Sequence, residues 1–480
     1  MRFLTLLRVL SLILGTVAPM MLPSLVFAAA AGERVMIRAF SVPMGAALIA
    51  ALPALFLVRR RPLRLSQREG FLLVFLAWIF ISLFGALPYF LSGSGINITD
   101  AVFESTCSFA TTGGTTIDDV ERLPRSLLFW RSMGHWFGGM GIVLLTVALM
   151  PLLGVGGFQL VKAETPGPEK EKITPRLTNT AKVLWLAYSG LTILLVLLYM
   201  AGGMGWFDAL CHGLTTMASG GVSTRNGGIA VFNSLYIDMV TMIFMLLAGL
   251  NFSLYYRMLK GKFREVFCNT EGRAYFFIFA AAAAVLTVTL VPFYGSAGRA
   301  LRFAAYQAAS ILSTTGSAIT DYTRWPPVSQ LLLFGLMFVG GCSGSTAGGI
   351  KVIRHVVLWK QAGNELRRTV YRRGIFSVQL NRKVGRRDVI YGVAGFVSLY
   401  MMVVAATALL TAASGVDFFS ALSAAVSVTG NVGIGFGAVG PVHHYGAFAA
   451  PVKWLYSFVM IAGRLELWAV FVLFSGEFRR

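Results

Sequence analysis

Charged residues are scarce in this chain, and their scarcity excludes a soluble fold. Asp, Glu, Lys and Arg make up 13% of the 480 residues, whereas 56% are hydrophobic. A soluble domain of this size could not bury so many apolar side chains away from water. The composition therefore indicates a multi-spanning membrane protein. Cysteine is also rare. The four thiols show no CxxC or metal-ligand spacing, which argues against a disulfide framework or a metal site; they are Cys107, Cys211, Cys268 and Cys342.

Paired catalytic groups are missing from the apolar runs. An intramembrane enzyme would need two such groups close together within its spans, and His135, His212 and His355 each stand alone. The stretch GFGAVG at 435–440 fits GxGxxG, but it follows no strand and opens no helix of a βαβ unit. The sequence therefore favours neither an enzyme nor a nucleotide-binding domain.

Apolar runs long enough to span a bilayer, which takes roughly 20 residues per helix, recur along the chain. The sequence predicts ten such helices, at about residues 4–29, 37–58, 71–92, 127–160, 180–201, 233–259, 274–294, 329–360, 389–413 and 451–475. The net charge of +21 comes from basic stretches beside these runs, at 59–68, 162–182, 257–273, 360–387 and 479–480. With both termini in the cytoplasm, every basic stretch falls on the cytoplasmic side, as the positive-inside rule expects. The charge therefore requires no nucleic-acid partner.

The first apolar run allows two interpretations. Arg2 and Arg8 precede a run that ends in FAAAAGE at 27–33, which is typical of a secretory signal with a cleavage site. The run is long for a signal, however, and the ten-helix topology needs no cleavage. We therefore favour a retained helix that pairs with the second run.

A different kind of segment recurs four times between alternate pairs of spans. The copies are DAVFESTCSFATTGGTT from Asp100, FDALCHGLTTMASGGVST from Phe207, RFAAYQAASILSTTGSAIT from Arg302 and DFFSALSAAVSVTGNVGIGFG from Asp417. Each predicts an amphipathic helix of about a dozen residues, too short to span, followed by a loop of small hydroxyl residues and glycine. The glycines that we take as equivalent are Gly113, Gly220, Gly316 and Gly433. Their near-constant spacing indicates internal repetition of a unit made of helix, half-helix, glycine loop and helix.

Four such loops at membrane depth predict a pore. Irregular backbone is tolerated there only where it lines a water-filled cavity or is buried in protein. Carbonyls freed from helical pairing can replace the hydration shell of a cation, and glycine permits the positive φ angles that alternating carbonyls require. Each half-helix also directs the negative end of its dipole to the centre. For one loop alone a turn or packing site is the simpler interpretation, but four at matching positions favour cation coordination by backbone oxygens.

The run at 329–360 is interrupted by VGGCSGSTAGGIK at 339–351. Each glycine costs a helix about 1 kcal/mol, so this stretch predicts a break in the helix. We expect a flexible intramembrane loop that obstructs the pore and moves aside, with a close helix-packing patch as the alternative. The residues assigned to this gate are Gly340, Gly341, Cys342, Ser343, Gly344, Ser345, Thr346, Ala347, Gly348, Gly349 and Lys351.

Arg464 puts a cation inside the last apolar run. An arginine at mid-bilayer costs roughly 2.5–3.5 kcal/mol on insertion scales, so its guanidinium should face water or a partner. Glu466 lies two positions on, which in a helix directs it away from Arg464. We predict that Arg464 faces the conduction path beneath the filter as an electrostatic barrier and forms part of the gate. Pairing with freed carbonyls of the glycine-rich stretch is the alternative.

Five motifs together carry a family resemblance over almost the whole chain. They are ATTGGTT at 110–116, HWFGGMGI at 135–142, AETPGPEKEK at 163–172, GGCSGSTAGGIKVIRH at 340–355 and AGRLELW at 462–468. This combination resembles the TrkH-type potassium uptake proteins, pore-forming membrane subunits within the superfamily that includes KtrB and HKT. The two extra N-terminal helices are similar to TrkH rather than to the shorter KtrB.

The resemblance implies an all-α polytopic membrane protein with four tandem helix–pore loop–helix repeats around a central pore, preceded by two N-terminal helices. The corresponding divisions are 1–68, 69–176, 177–265, 266–386 and 387–480. It further implies that the transported ion is potassium. The filter positions are Thr111, Thr112 and Gly113, then Ala218, Ser219 and Gly220, then Thr314, Thr315 and Gly316, and finally Asn431, Val432 and Gly433. Because only one glycine per loop is dependable, we expect weaker discrimination against sodium than in tetrameric potassium channels.

Partners also follow from the resemblance. It implies a cytosolic ring of TrkA-type subunits that binds NAD or ATP and docks on basic faces such as the cytoplasmic loop at 360–387. It implies a homodimer in the cell inner membrane with both termini cytoplasmic. A secondary transporter that couples potassium to protons or sodium remains the alternative, although transporters usually show two inverted repeats.

Overall fold

The computed structural model describes residues 3–58, 67–141, 177–381, 383–384 and 387–476, and these are mainly helical. The α-helices are, in chain order, α1 (Phe3–Ala30), α2 (Arg34–Val58), α3 (Gln67–Leu91), α4 (Ile98–Phe109), α5 (Arg125–Gly139), α6 (Leu177–Ala201), α7 (Trp206–Met217), α8 (Leu235–Ala248), α9 (Phe252–Leu259), α10 (Phe263–Phe267), α11 (Thr270–Tyr294), α12 (Ala297–Leu312), α13 (Pro327–Leu336), α14 (Val352–Val370), α15 (Arg387–Ala412), α16 (Phe418–Gly430), α17 (Ala450–Arg464) and α18 (Trp468–Phe471). Two short strands, β1 (Gln379–Leu380) and β2 (Lys383–Val384), pair antiparallel, with Gln379 opposite Val384.

Six of the described helices are long and apolar enough to cross a bilayer, namely α1, α2, α3, α6, α11 and α15. Large apolar side chains on their outer faces remain open: Leu186, Phe277 and Val288 are each at least 73% exposed. Apolar surface of this kind is tolerated where a helix faces lipid. The predicted N-terminal helices are confirmed, since α1 and α2 form a hairpin and α1 packs on α3 and α5.

Four of the short helices each precede one of the predicted loops. α4, α7, α12 and α16 contain 12, 12, 16 and 13 residues, and a helix rises only about 1.5 Å per residue. Side-chain caps start two of them: Asn97 accepts from the Asp100 amide, and Asp417 accepts from the Ser420 amide. Their C-terminal ends are buried, and each continues into a loop. The short helices predicted from the sequence are confirmed.

Three predicted spans are broken in the structure. α8 and α9 meet at a bend of 95°, α17 and the helical segment at 468–474 meet at 109°, and residues 337–351 separate α13 from α14. The sequence predicted only the last of these breaks, so the continuous helices expected over 233–259 and 451–475 are wrong. Asn251 caps a new helix by accepting from the Ser253 amide. Glu466 and Leu467 have positive φ, which ends α17.

Part of the predicted topology lies outside the described residues. The run at 127–160 begins as α5, but its residues beyond 141, like the basic stretches at 59–66 and 162–176, are not among them. The basic stretch at 360–387 is not a loop throughout, because α14 continues to Val370 before the β1–β2 hairpin. Glu365 and Arg368, one turn apart, form an ion pair of 2.8 Å on this helix.

Candidate functional site

The four short helices end in loops with the same backbone geometry. In each loop one amide donates to the carbonyl five residues earlier, at 2.8–2.9 Å: Thr112 to Cys107, Gly220 to Thr215, Thr315 to Ser310 and Val432 to Ser427. The residue before each donor is left-handed, with φ of 53° to 56°: Thr111, Ser219, Thr314 and Asn431. The residue after each donor also has positive φ: Gly113, Gly221, Gly316 and Gly433. Because a left-handed residue other than glycine costs about 1–2 kcal/mol, its recurrence four times indicates a shared structural requirement.

This register corrects the second loop by one residue. Gly220 is the predicted equivalent of Gly113, but the hydrogen bonds and the positive φ assign that position to Gly221. Ala218, predicted as the first filter residue of this loop, is instead the C-cap of α7 with a right-handed conformation. Two adjacent glycines gave the sequence no means of choosing between the two registers. In the other three loops, the residues singled out from the sequence occupy equivalent positions.

The four loops close into a ring through backbone contacts. At each positive-φ glycine, an added Cβ would overlap with a carbonyl oxygen of the next loop: Gly113 with Gly220, Gly221 with Thr315, Gly316 with Val432 and Gly433 with Thr112. The contacts therefore run from loop one to two, three, four and back to one. Glycine is required at these four positions both by φ and by the close approach of backbone to backbone.

A cavity of 470 Å³ opens on one side of the ring. Residues of all four loops line it, among them Gly113, Gly221, Gly316 and Gly433. Its wall carries charge of both signs, with the carboxylates of Asp118 and Asp321 and the guanidinium of Arg225. At its rim, Asn226 Nδ2 donates to Asp119 Oδ1 at 2.7 Å, and this hydrogen bond lowers the pKa of Asp119. The first and second loops are thus tied together outside the ring as well.

The glycine loop, residues 339–351, lies against the opposite side of the ring. The Gly348 amide donates to Thr314 Oγ1 at 2.7 Å, and Thr346 Oγ1 lies 2.7 Å from Ser219 Oγ. An added Cβ on Gly348 would overlap with the carbonyl of Gly430, so the glycine loop also contacts the end of α16. The predicted non-helical backbone is confirmed, and the gate residues lie next to three of the four loops of the ring.

Two sets of contacts hold the glycine loop in this position. The break between α8 and α9 leaves carbonyls free, and Gly249 O accepts from the Cys342 amide at 2.8 Å. Glu271 Oε1 accepts from the amides of Ser343 and Ile353, at 2.7 and 3.2 Å, and so ties the loop to the first turn of α14. Sequence reasoning missed Glu271, although a buried acid at the start of an apolar helix is itself a signal of function.

Arg464 bonds to the glycine loop. Its Nη1 donates to Thr346 O at 2.7 Å, and its Nη2 donates to Gly138 O and Gly139 O, at 2.7 and 3.0 Å. The pairing with loop carbonyls that stood as the alternative in the sequence analysis is therefore present. Arg464 and Lys351 also line a cavity of 220 Å³ below the loop. The barrier role of Arg464 stays a prediction.

The acid nearest to Arg464 in sequence has another partner. Glu466 forms an ion pair with Arg354 of α14, whose guanidinium also lies 3.7 Å from the centre of the Phe396 ring. The expectation that Glu466 points away from Arg464 assumed a helix continuing through both residues, but α17 ends at Arg464 and Glu466 has a positive φ.

The three histidines contact backbone or hydroxyl groups rather than each other. His135 Nδ1 lies 2.9 Å from Arg131 O. His212 Nε2 lies 2.9 Å from Ser223 Oγ, and His355 Nε2 lies 3.2 Å from Phe338 O. Hydrogen bonds of this kind fix the rings in place.

Membrane-length helices around a ring of four re-entrant loops define a polytopic membrane transport protein. The chain belongs to the TrkH family of cation transport proteins, which it matches over residues 41–479. Members of this family are transporters and not enzymes. The predicted fold class, an all-α polytopic membrane protein of the TrkH type, is confirmed.

Individual relatives cover nearly the whole chain. The Trk system potassium uptake protein TrkH of Salmonella typhimurium is 40% identical over 428 residues, 88% of each chain. The protein of the same name from Halomonas elongata is 37% identical over 485 residues, 99% of this chain and 98% of its own length. The crystal structure of the potassium transporter TrkH from Vibrio parahaemolyticus matches with a TM-score of 0.89 and 33% identity and covers 100% of both chains.

Proposed function

We propose that this chain takes up potassium ions through the ring of four loops. The relatives described above are potassium uptake proteins by name. The observation that carries the proposal is the cyclic contact between the backbone of one loop and the carbonyl of the next. No side chain can stand between loops that approach so closely, so the ligands offered to an ion are peptide oxygens, which can replace the water around a cation.

The filter residues in this proposal follow the common register. They are Thr111, Thr112 and Gly113, then Ser219, Gly220 and Gly221, then Thr314, Thr315 and Gly316, and finally Asn431, Val432 and Gly433. Among the described residues no group of three or more His, Cys, Asp or Glu side chains is arranged to hold a metal ion. Backbone carbonyls are thus the ion ligands that we propose, and potassium is cargo rather than a resident cofactor.

Purified protein in planar bilayers should pass potassium in preference to sodium, but the preference should be incomplete. The reason is that the four loops together form one ring of tightly held glycine backbone, whereas a tetrameric potassium channel has several successive rings of carbonyls. Reversal potentials in potassium–sodium mixtures measure the ratio. Near-absolute rejection of sodium would contradict the weak-selectivity proposal, and bilayers without current would contradict a channel-like pore. Growth of a potassium-uptake-deficient bacterium on low potassium, with and without this chain, is a parallel test.

The glycine loop is the gate in this proposal, and Cys342 reports on it. Its thiol is 1% exposed, whereas Cys268 is exposed on the surface. Maleimide should modify Cys268 readily and Cys342 slowly. Replacing Arg464 by alanine removes a charged hydrogen bond of about 1.5 kcal/mol or more, so modification of Cys342 should accelerate on the order of tenfold. Peptide mass spectrometry distinguishes the thiols.

Cys107 and Cys211 are the internal controls for this experiment. Both are buried, but neither belongs to the glycine loop. Their modification should stay slow in the Arg464→Ala variant. Equal acceleration at all three buried thiols would indicate general loosening and contradict a moving gate, as would an unchanged rate at Cys342.

The remaining features of the proposal follow the family. A cytosolic ring of TrkA-type subunits that binds NAD or ATP controls the gate, and the basic exposed surface at the end of α14 supports its docking there; Arg367, Arg372 and Arg373 belong to it. The chain lies in the cell inner membrane as a homodimer, with both termini in the cytoplasm and α1 retained. The division at residues 68, 176, 265 and 386 belongs to the same proposal.

A carrier that couples potassium to protons or sodium is the second candidate. The broken helices α8–α9, α13–α14 and α17–α18 support a carrier, because discontinuous helices surround the ion sites of many secondary transporters. Single-channel recording separates the two, because a carrier turns over too slowly to give resolvable current steps.

A further inference from the structure

One ion pair lies behind the ring and is the most buried among those in the described residues. It joins Glu104 of α4 to Arg131 of α5, with Oε2 and Nε 3.1 Å apart and side chains only 1% and 4% exposed. Charges withdrawn from water in this way are stabilised only when their remaining oxygens and N–H groups are also bonded. The further partners of the pair therefore indicate what it is for.

The Glu104 carboxylate binds the segment of the first loop that follows Gly113. Its Oε1 accepts from the Thr116 amide at 2.6 Å, from Thr115 Oγ1 at 2.7 Å and from Thr116 Oγ1 at 3.2 Å. Cys107 Sγ adds a contact of 3.0 Å to Gly114 O. One carboxylate oxygen thus fixes the two residues that follow the ring-forming part of this loop.

Arg131 extends the connection to the second loop. Its Nη1 donates to Ser223 O at 3.3 Å, two residues beyond Gly221. In front of this link, Gly113 packs directly on the carbonyl of Gly220. The ion pair therefore spans the back of the junction at which the first and second loops meet.

The other three loops have no carboxylate at the same helix position. In the common register, eight residues before each amide donor, Glu104 corresponds to His212, Gln307 and Ala424. His212 reaches Ser223 Oγ. The Gln307 amide group is fully buried and has no hydrogen-bond partner among the residues that the structure describes. Ala424 has no polar group. At this helix position only the first loop has a charged brace; the second loop is held from one turn earlier, where Asp208 Oδ1 accepts from Thr224 Oγ1 at 2.6 Å and pairs with Arg225, whose side chain is 44% exposed.

We propose that Glu104 and Arg131 form a positioning pair that sets the ion preference of the ring, and that the first loop dominates this discrimination. The inference rests on the proposed function, since it concerns the same ring. Peptide oxygens distinguish ions of different radius only while their positions are held, and sites of this kind tolerate displacements of about 0.5 Å. The pair touches no ion; it acts through the backbone of the first loop.

Glu104→Asp tests the proposal with the charge retained. The shorter side chain cannot reach both Arg131 and the Thr116 amide, so the first loop should relax. We expect the potassium-to-sodium permeability ratio, from bi-ionic reversal potentials of the full-length protein in planar bilayers, to fall on the order of tenfold. The double variant Glu104→Gln/Arg131→Gln removes both charges, leaves no unpaired ion and should give the same fall. Thermal melting and gel filtration establish that each variant is folded.

Gln307→Met is the matched control, because it alters the equivalent position behind the third loop without removing a hydrogen bond among the described residues. Its permeability ratio should equal that of the original chain. An unchanged ratio in either folded Glu104 variant would overturn the proposal, and so would an equal fall in Gln307→Met. A chain without potassium current before any substitution would instead overturn the proposed function, so the two failures are distinguishable.

Discussion

Gly113→Ala should reduce potassium flux on the order of a hundredfold while the protein still folds. Gly113 has a φ of 86°, and an added Cβ would overlap with the carbonyl oxygen of Gly220 in the next loop. That carbonyl is backbone and cannot rotate away as a side chain could, so one of the two loops must move. Because a displacement of about 1 Å can cost a positioned site on the order of a hundredfold, we expect a loss of that size in ⁸⁶Rb or potassium uptake by proteoliposomes.

Gly203→Ala is the matched control for this variant. Gly203 has almost the same φ, 87°, but no atom of the described residues lies within 4 Å of an added Cβ. Both substitutions therefore carry a backbone strain of about 1–2 kcal/mol, while only Gly113→Ala disturbs the ring. Flux should fall in Gly113→Ala and persist in Gly203→Ala. Comparable flux in the two variants, measured per folded protein, would refute the ring as the ion path.

Arg464→Ala should raise potassium flux on the order of tenfold. The guanidinium joins Thr346 O of the glycine loop to Gly138 O and Gly139 O at the end of α5. If the loop must leave the ring for ions to pass, the bond to Thr346 breaks on opening. A hydrogen bond to a charged group contributes about 1.5–3 kcal/mol, and its loss shifts the balance toward the open loop by about tenfold or more. Loss of a positive charge beneath the filter acts in the same direction.

Two further variants distinguish the possible causes of this increase in flux. Arg464→Lys keeps the charge but lacks the planar fork whose two ends reach Thr346 O and the Gly138 and Gly139 carbonyls, so a small increase would assign the effect to charge and a large one to the hydrogen bonds. Arg273→Ala removes an exposed arginine from the first turn of α11 and should leave flux unchanged. Unaltered flux in a folded Arg464→Ala protein would exclude both the electrostatic barrier and a role of the Arg464 hydrogen bonds in holding the glycine loop closed.

Much of the fold was predictable because its signals are local. The half-helices α4, α7, α12 and α16 follow from a dozen amphipathic residues that end in glycine, and bilayer thickness excludes them as spans. The break before α14 was predictable because five glycines crowd into one stretch. The second loop shows the limit of such signals. In the sequence ASGG, either glycine could occupy the ring, and only the folded backbone decides between them, through the bond from the Gly220 amide to Thr215 O and the positive φ of Ser219 and Gly221.

The breaks at α8–α9 and α17–α18 were not predictable from hydropathy. Each run is apolar enough on average to be predicted as one continuous span, and the contacts that stabilise the bend come from distant parts of the chain. Ala248 O accepts from Thr346 Oγ1, 98 residues later in the sequence, at 3.1 Å. Glu466 ends α17 with a positive φ and pairs with Arg354, 112 residues earlier. Backbone groups released from a helix need partners, and the partner of Ala248 O lies far along the chain.

By itself, the amino-acid sequence determined that this protein lies in a membrane and that four short helices end in loops within it. Bilayer length and left-handed backbone are requirements that each of these segments meets alone. Only the tertiary structure decided which glycine packs on which carbonyl and that Arg464 bonds to the glycine loop. Those contacts join residues roughly a hundred or more positions apart, so they exist only after the helices have packed around a common centre.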